Sequence, residues 1–168
     1  MKKILFNFIL ASSLTFAGSF AQLGLGLSKG DNSDNHITAF GSLNVLGNLG
    51  ARLEYTKNIT KNPAFSSEDI SRYGLFATYT LTVLPNVSLT PKVGLVKTNG
   101  SFKLFETIYD VSHSSTGFTF GLEANYELNE NMSIFVGYTD YGKSLDIKNI
   151  DKDKLDTANY TFGIKINL

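Results

Sequence analysis

From Gln22 to Leu168 the apolar residues return at every second position, and no other feature narrows the fold as much. A period of two is the repeat of a β-strand whose two faces meet different surroundings. Leu23, Leu25 and Leu27 alternate with Gly24 and Gly26, and Ile37, Ala39, Leu43 and Val45 with Thr38, Ser42 and Asn44. Leu49, Ala51, Leu53 and Tyr55 alternate with Gly50, Arg52 and Glu54. Tyr73 to Val83 and Val87 to Leu95 repeat the pattern, although Pro91 removes one ladder donor. Phe118 to Tyr126, Met132 to Tyr138 and Ala158 to Leu168 bring the runs to eight. Eight is even, as a closed barrel of bacterial type requires. The expected fold is all-β, an eight-stranded antiparallel up-and-down barrel.

The connections alternate in length. Leu46-Gly47-Asn48, Leu84-Pro85-Asn86 and Asn129-Glu130-Asn131 are tight and rich in turn formers. Ser28 to Asn35, Thr56 to Arg72, Thr98 to Ser114 and Gly142 to Asp156 are longer and hold much of the charge. Short turns at one end and long polar loops at the other are the asymmetry of barrels that span the outer membrane. Ahead of the strands, Met1-Lys2-Lys3 followed by the apolar stretch Ile4 to Phe16 and by Ser19-Phe20-Ala21 reads as a signal peptide over 1–21. Residues 22–168 then form one domain. No later stretch is long and apolar enough for a spanning helix, so crossing a membrane falls to strands.

Alternation does not by itself say which face points inward, since a soluble lipocalin-like carrier of an apolar ligand has its apolar face inside. The polar faces here are mostly Gly, Ser, Thr and Asn, poor in charge for a solvated surface and small enough for a narrow lumen. The apolar faces carry no mid-strand charge; Lys97 and Asp140 share that parity only near strand ends. Tyr55, Tyr73, Tyr126, Tyr138 and Tyr160 fall on the apolar faces, several near strand ends, as a girdle at the headgroup level would. These features favour a transmembrane barrel over the carrier.

The signal segment, the eight runs and the final Tyr160-x-Phe162-x-Ile164-x-Ile166-x-Leu168 resemble the OmpA/OmpX and opacity-type small outer-membrane barrels. The resemblance covers essentially all of residues 22–168. It implies localisation in the outer membrane of a Gram-negative cell. It also implies that Tyr160, Phe162, Ile164, Ile166 and Leu168 form the C-terminal signal read by the barrel-assembly machinery. Members of that family usually end in Phe, where this chain has Leu168.

On the inward parity stand Arg52, Glu54, Lys92, Glu123, Glu127 and Lys165, expected as a charge network that fills the barrel interior. Phe40, Phe76 and Phe135 share that side and would occlude a wide channel. A narrow ion-conducting pore is the alternative use of the same charges. His36 and His113 read as solvated loop residues rather than metal ligands. The acidic groups Asp31 with Asp34, and Asp151, Asp153 and Asp156, lack calcium-loop spacing, so no metal and no cofactor are expected. The sequons at Asn58 and Asn99 carry no weight in a bacterial envelope. With fifteen basic residues against fifteen acidic ones and no basic stripe, no nucleic-acid partner is expected.

Without cysteine, thiol chemistry is excluded. Asp110, His113 and Ser114 share the third long loop, a weak grouping, and no nucleotide-binding loop or carboxylate pair stands out, so no enzyme is expected. Partial alternation through Phe102 and Leu104 predicts that strands five and six protrude as a hairpin. The expected partners are outer-membrane lipid, the assembly machinery and an extracellular ligand at the long loops; the expected role is envelope structure or surface interaction.

Overall fold

The computed structural model describes residues 20–30, 34–60, 67–103, 110–142 and 158–168. Its strands are β1 (Ala21–Gly30), β2 (Asn35–Leu46), β3 (Leu49–Asn58), β4 (Ser67–Tyr79), β5 (Leu81–Leu84), β6 (Val87–Lys103), β7 (Asp110–Asn129), β8 (Met132–Asp140) and β9 (Ala158–Asn167). Each pairs antiparallel with its neighbours. The sheet closes because β9 pairs β1 and β8 while β4 pairs β3 and β6. β4 and β5 form one stave: Thr78 opposes Lys92 and Leu81 opposes Leu89, an unbroken register across Thr80. The barrel therefore has eight staves, as the alternation predicts.

The faces are those of a membrane barrel. Leu23, Leu25, Leu27, Leu53, Leu75, Leu95, Phe118, Val136 and Phe162 are all more than half exposed, whereas Thr38, Ser42, Thr56, Thr98, Thr119, Thr139 and Asn159 are buried. A lipocalin-like carrier needs the reverse, so that alternative is overturned by the direction the side chains face. Spanning strands also satisfy every backbone polar group within the closed ladder, which hydrocarbon demands.

The tight turns fall at Gly47-Asn48, Pro85-Asn86 and Glu130-Asn131. Gly47 has a φ of 55°, the left-handed region that a residue without Cβ enters at no steric cost. At the other end the strands run further than the charge-rich segments predict. β1 reaches Gly30, and β6 and β7 remain paired out to Lys103 opposite Asp110, the protruding hairpin expected from the partial alternation. The expected signal segment Ile4 to Phe16 and the acidic group at Asp151 to Asp156 lie outside the described residues, as does Asp31.

Candidate functional site

The barrel interior gathers charge at one level. Arg52 donates through Nη1 to Glu123 Oε2 at 2.9 Å and through Nη2 to Oε1 at 3.2 Å, a two-pronged contact that fits the planar guanidinium. Lys165 Nζ donates to the same Glu123 Oε1 at 2.6 Å. Lys92 Nζ donates to Glu54 Oε2 at 2.6 Å, and the Tyr141 hydroxyl reaches Glu54 Oε1 at 3.4 Å. Arg52 Nε also donates to Ser42 Oγ at 3.1 Å. Their side chains are nearly all shielded from solvent, so each charge depends on its partners for stabilisation that water would otherwise supply.

These contacts link staves that share no ladder. Arg52 ties β3 to β7, Lys92 ties β6 to β3, and Lys165 ties β9 to β7. Rings fill the gaps between charges. The Arg52 guanidinium lies 3.9 Å from the Phe40 ring centre, Lys92 Nζ 4.6 Å from that of Phe76, and Phe40 meets Phe135 edge-on at 5.4 Å. The void among Thr38, Phe40, Glu54, Lys92, Glu123 and Phe135 is about 10 Å³, at or below the space one water needs. At this level the barrel is filled by side chains rather than open.

Either side of this septum is polar. Toward the loops, Ser28 Oγ meets Thr38 Oγ1 at 2.7 Å and Thr161 Oγ1 at 2.9 Å, and Thr38 meets Thr56 at 3.0 Å. Toward the turns lies a cup of about 140 Å³ lined by Asn44, Ser88, Asn125, Glu127, Lys165 and Asn167 among others.

Of the six inward charges read from the alternation, Arg52, Glu54, Lys92, Glu123 and Lys165 meet here. Glu127 stands apart: it is exposed, two residues before the end of β7, with its backbone N–H donating to Asn86 O in the adjacent turn. Its parity is inward, but its depth is the mouth. Arg72 and His36 escaped the sequence reading as interior residues, whereas Tyr141 is a bulky member of the polar parity of its run. Arg72 lies over the Tyr141 ring at 4.6 Å, and both are buried. His36, expected as a solvated loop residue, is 1% exposed because β2 starts at Asn35 and turns it inward opposite Asn58. Both of the missed residues continue an established alternation by one step, His36 with Thr38 and Arg72 with Gly74, while Tyr141 is buried beyond Thr139 as its parity requires. Extending the period into the loops would have found the two. Among the described residues the buried charges are thus four cations, Arg52, Arg72, Lys92 and Lys165, against the carboxylates Glu54 and Glu123.

The five girdle tyrosines stand on the outer face, paired as Tyr55 with Tyr73 at 5.0 Å and Tyr138 with Tyr160 at 5.3 Å, with Tyr126 alone near the turns. Tyr160, Phe162, Ile164 and Ile166 are exposed along β9, and Leu168 N–H donates to Ala21 O. The side chain of His113 lies outside the described residues, and among described residues no cluster of metal-binding side chains occurs. The Tyr141 hydroxyl bond is long, so Tyr141→Phe should lower stability by less than about 1 kcal/mol, read from the unfolding midpoint in detergent.

A closed barrel of this size, apolar outside and charged within, is the architecture of small outer-membrane proteins. The chain belongs to the outer membrane protein β-barrel domain family, whose model matches residues 8–167, and its place is the cell outer membrane. No curated relative matches it. The N-terminal β-barrel domain of OprF from Pseudomonas aeruginosa is similar with a TM-score of 0.66 and 11% identity, covering 88% of this chain and 96% of that one. Neisserial surface protein A is similar with a TM-score of 0.61 and 16% identity over 88% and 94% of the two chains. Ail, the attachment invasion locus protein of Yersinia pestis, gives 0.55 and 14% over 88% and 95%. At these identities the likeness is one of fold.

Proposed function

We propose that the protein is a surface-interaction barrel, exported by its N-terminal signal segment, assembled through β9, and set with its long loops toward the medium. The observation that carries this reading is a three-stranded sheet standing beyond the rest of the barrel. β4 and β6 stay paired to Ser67 opposite Lys103, and β6 and β7 to Lys103 opposite Asp110. Among the described residues β8 joins β7 only from Asp140 opposite Phe120, so Asp110 to Thr119 has no ladder partner on that side. Among the described residues this leaves an edge of about ten residues, whose backbone donors and acceptors suit an added strand. The filled septum supports the same reading, since nothing of metabolite size passes it. One structural neighbour, Ail, bears the name of an attachment protein and has been solved with a heparin analogue, which accords with a binding role.

The test is to replace 99–114 by a two-residue Asn-Gly turn joining Thr98 to Ser115, which face each other in the ladder. Cells displaying the trimmed barrel should lose adherence to matrix-coated or epithelial surfaces while retaining the folded, heat-shifted band. Unchanged adherence would reject the reading.

A narrow pore is the second reading, favoured by the cup that leads from the turn side to Lys165. It predicts small single-channel currents that change when Lys92→Gln or Glu123→Gln is introduced. Bilayers that stay silent at high protein load would dismiss it.

A further inference from the structure

On the outer face of β1 to β4 an apolar groove of about 580 Å³ runs along Leu23, Ala39, Gly41, Leu53, Tyr55 and Tyr73. It exists because β2 places Ala39 and Gly41 outward between bulky neighbours: Gly41 opposes Leu23 and Leu53, and Ala39 opposes Leu25 and Tyr55. The groove ends at the Tyr55–Tyr73 pair, with one lysine beside that pair and another one step further along β3. Lys97 opposes Tyr73 in the ladder, and Lys57 follows Tyr55 on the same face of β3; both are exposed. Among the described side chains the exposed cations are Lys29, Lys57 and Lys97, all outward in the loop half, where the half-buried Asp140 on β8 shares the outward parity.

We propose that this face is a binding site for one phosphorylated, acyl-bearing lipid of the outer leaflet. An acyl chain occupies the groove, the tyrosine pair lies at the level of the headgroup, and Lys57 and Lys97 hold its phosphate. Sheet surface covered by mobile lipid needs no notch, and a row of outward Leu or Ile would serve equally well. A notch that leads to aromatic rings and then to two cations matches the order of parts in such a lipid: chain, interface, phosphate. The assignment to the outer leaflet rests on the loop-outward orientation proposed above. Binding measured in detergent does not, so the two can fail separately.

The experiment is native mass spectrometry of the refolded protein in a non-ionic detergent. It is titrated with a bis-phosphorylated, multi-acylated glucosamine lipid, with the dephosphorylated form of that lipid, and with inorganic phosphate alone. The phosphorylated lipid should bind one per barrel and about tenfold more tightly than its dephosphorylated form, the scale expected of one or two lysines near a charged headgroup. Lys57→Gln combined with Lys97→Gln should erase that preference. Gly41→Leu should weaken both lipids; a Cβ there meets nothing nearer than Leu23 Cδ2 at 3.7 Å, so the barrel tolerates it. Equal affinity for the two lipids in the unaltered protein, a preference that survives loss of both lysines, or indifference to Gly41→Leu would each overturn the site. So would displacement of the lipid by free phosphate at the concentration of the headgroup.

Discussion

Glu123→Gln should cost the barrel about 3–5 kcal/mol, the scale seen when one member of a buried ion pair is removed and its partners stay charged. Glu123 is 2% exposed and serves two cations at once, so the substitution strands both the Arg52 guanidinium and the Lys165 ammonium among Phe40, Phe135 and the barrel wall. Denaturant titration of the vesicle-inserted protein, scored by the fraction that keeps its heat-shifted band, measures the loss. Replacing the group together, Arg52→Met with Glu123→Leu and Lys165→Met, should recover most of it, because a packed apolar cluster carries no desolvation penalty. A loss below about 1 kcal/mol for Glu123→Gln would mean that water reaches these charges and that the septum is not dry.

Leu53→Arg should cost about 2–4 kcal/mol in a bilayer, the penalty for a cation on the lipid face near mid-depth. Leu53 is 67% exposed in the middle of β3, opposite Gly41 and Leu75. The residue before it is Arg52, buried and paired. One step along the strand therefore takes the same side chain from the best-satisfied place in the protein to one of the worst. Leu46→Arg, on the same kind of surface but at a turn, should cost only about 0–1 kcal/mol, because the interface is wet. Equal costs at the two positions would show that the outer face is not graded by depth and would count against a bilayer setting.

The barrel itself was legible because its signal is periodic and repeated. Each strand alone is weak, but eight runs with alternating short and long connections agree on one architecture. Depth was harder to read. Parity assigns a residue to a face and says nothing of its height, which is why Glu127, correctly inward by period, stands at the mouth instead of in the septum. Strand ends were harder still. Arg72 and His36 lie where polar and charged residues gather, and composition there reads as loop, yet in a polar lumen a charged residue is what a strand interior contains. The cross-lumen pairing of Arg52 with Glu123 and of Lys92 with Glu54 depends on barrel stagger, which links residues 71 and 38 positions apart and leaves no local trace. The lipid-face groove was hidden for another reason: Ala39 counts as apolar in the alternation and Gly41 interrupts it, but neither reveals the space that a small side chain leaves between bulky neighbours.

The pairing of β1 with β9 also sets a timetable. Gln22 bonds to Asn167 across 145 residues, so the first stave finds its second neighbour only when the ninth strand has been made. Until then no partial sheet has both edges satisfied, and the outward Leu, Phe and Ile side chains have neither bilayer nor core to cover them. A chain built this way cannot complete itself from its leading end as it emerges. Its outward apolar face stays without cover until the seam forms, so closing the seam and covering that face with lipid belong to one late event.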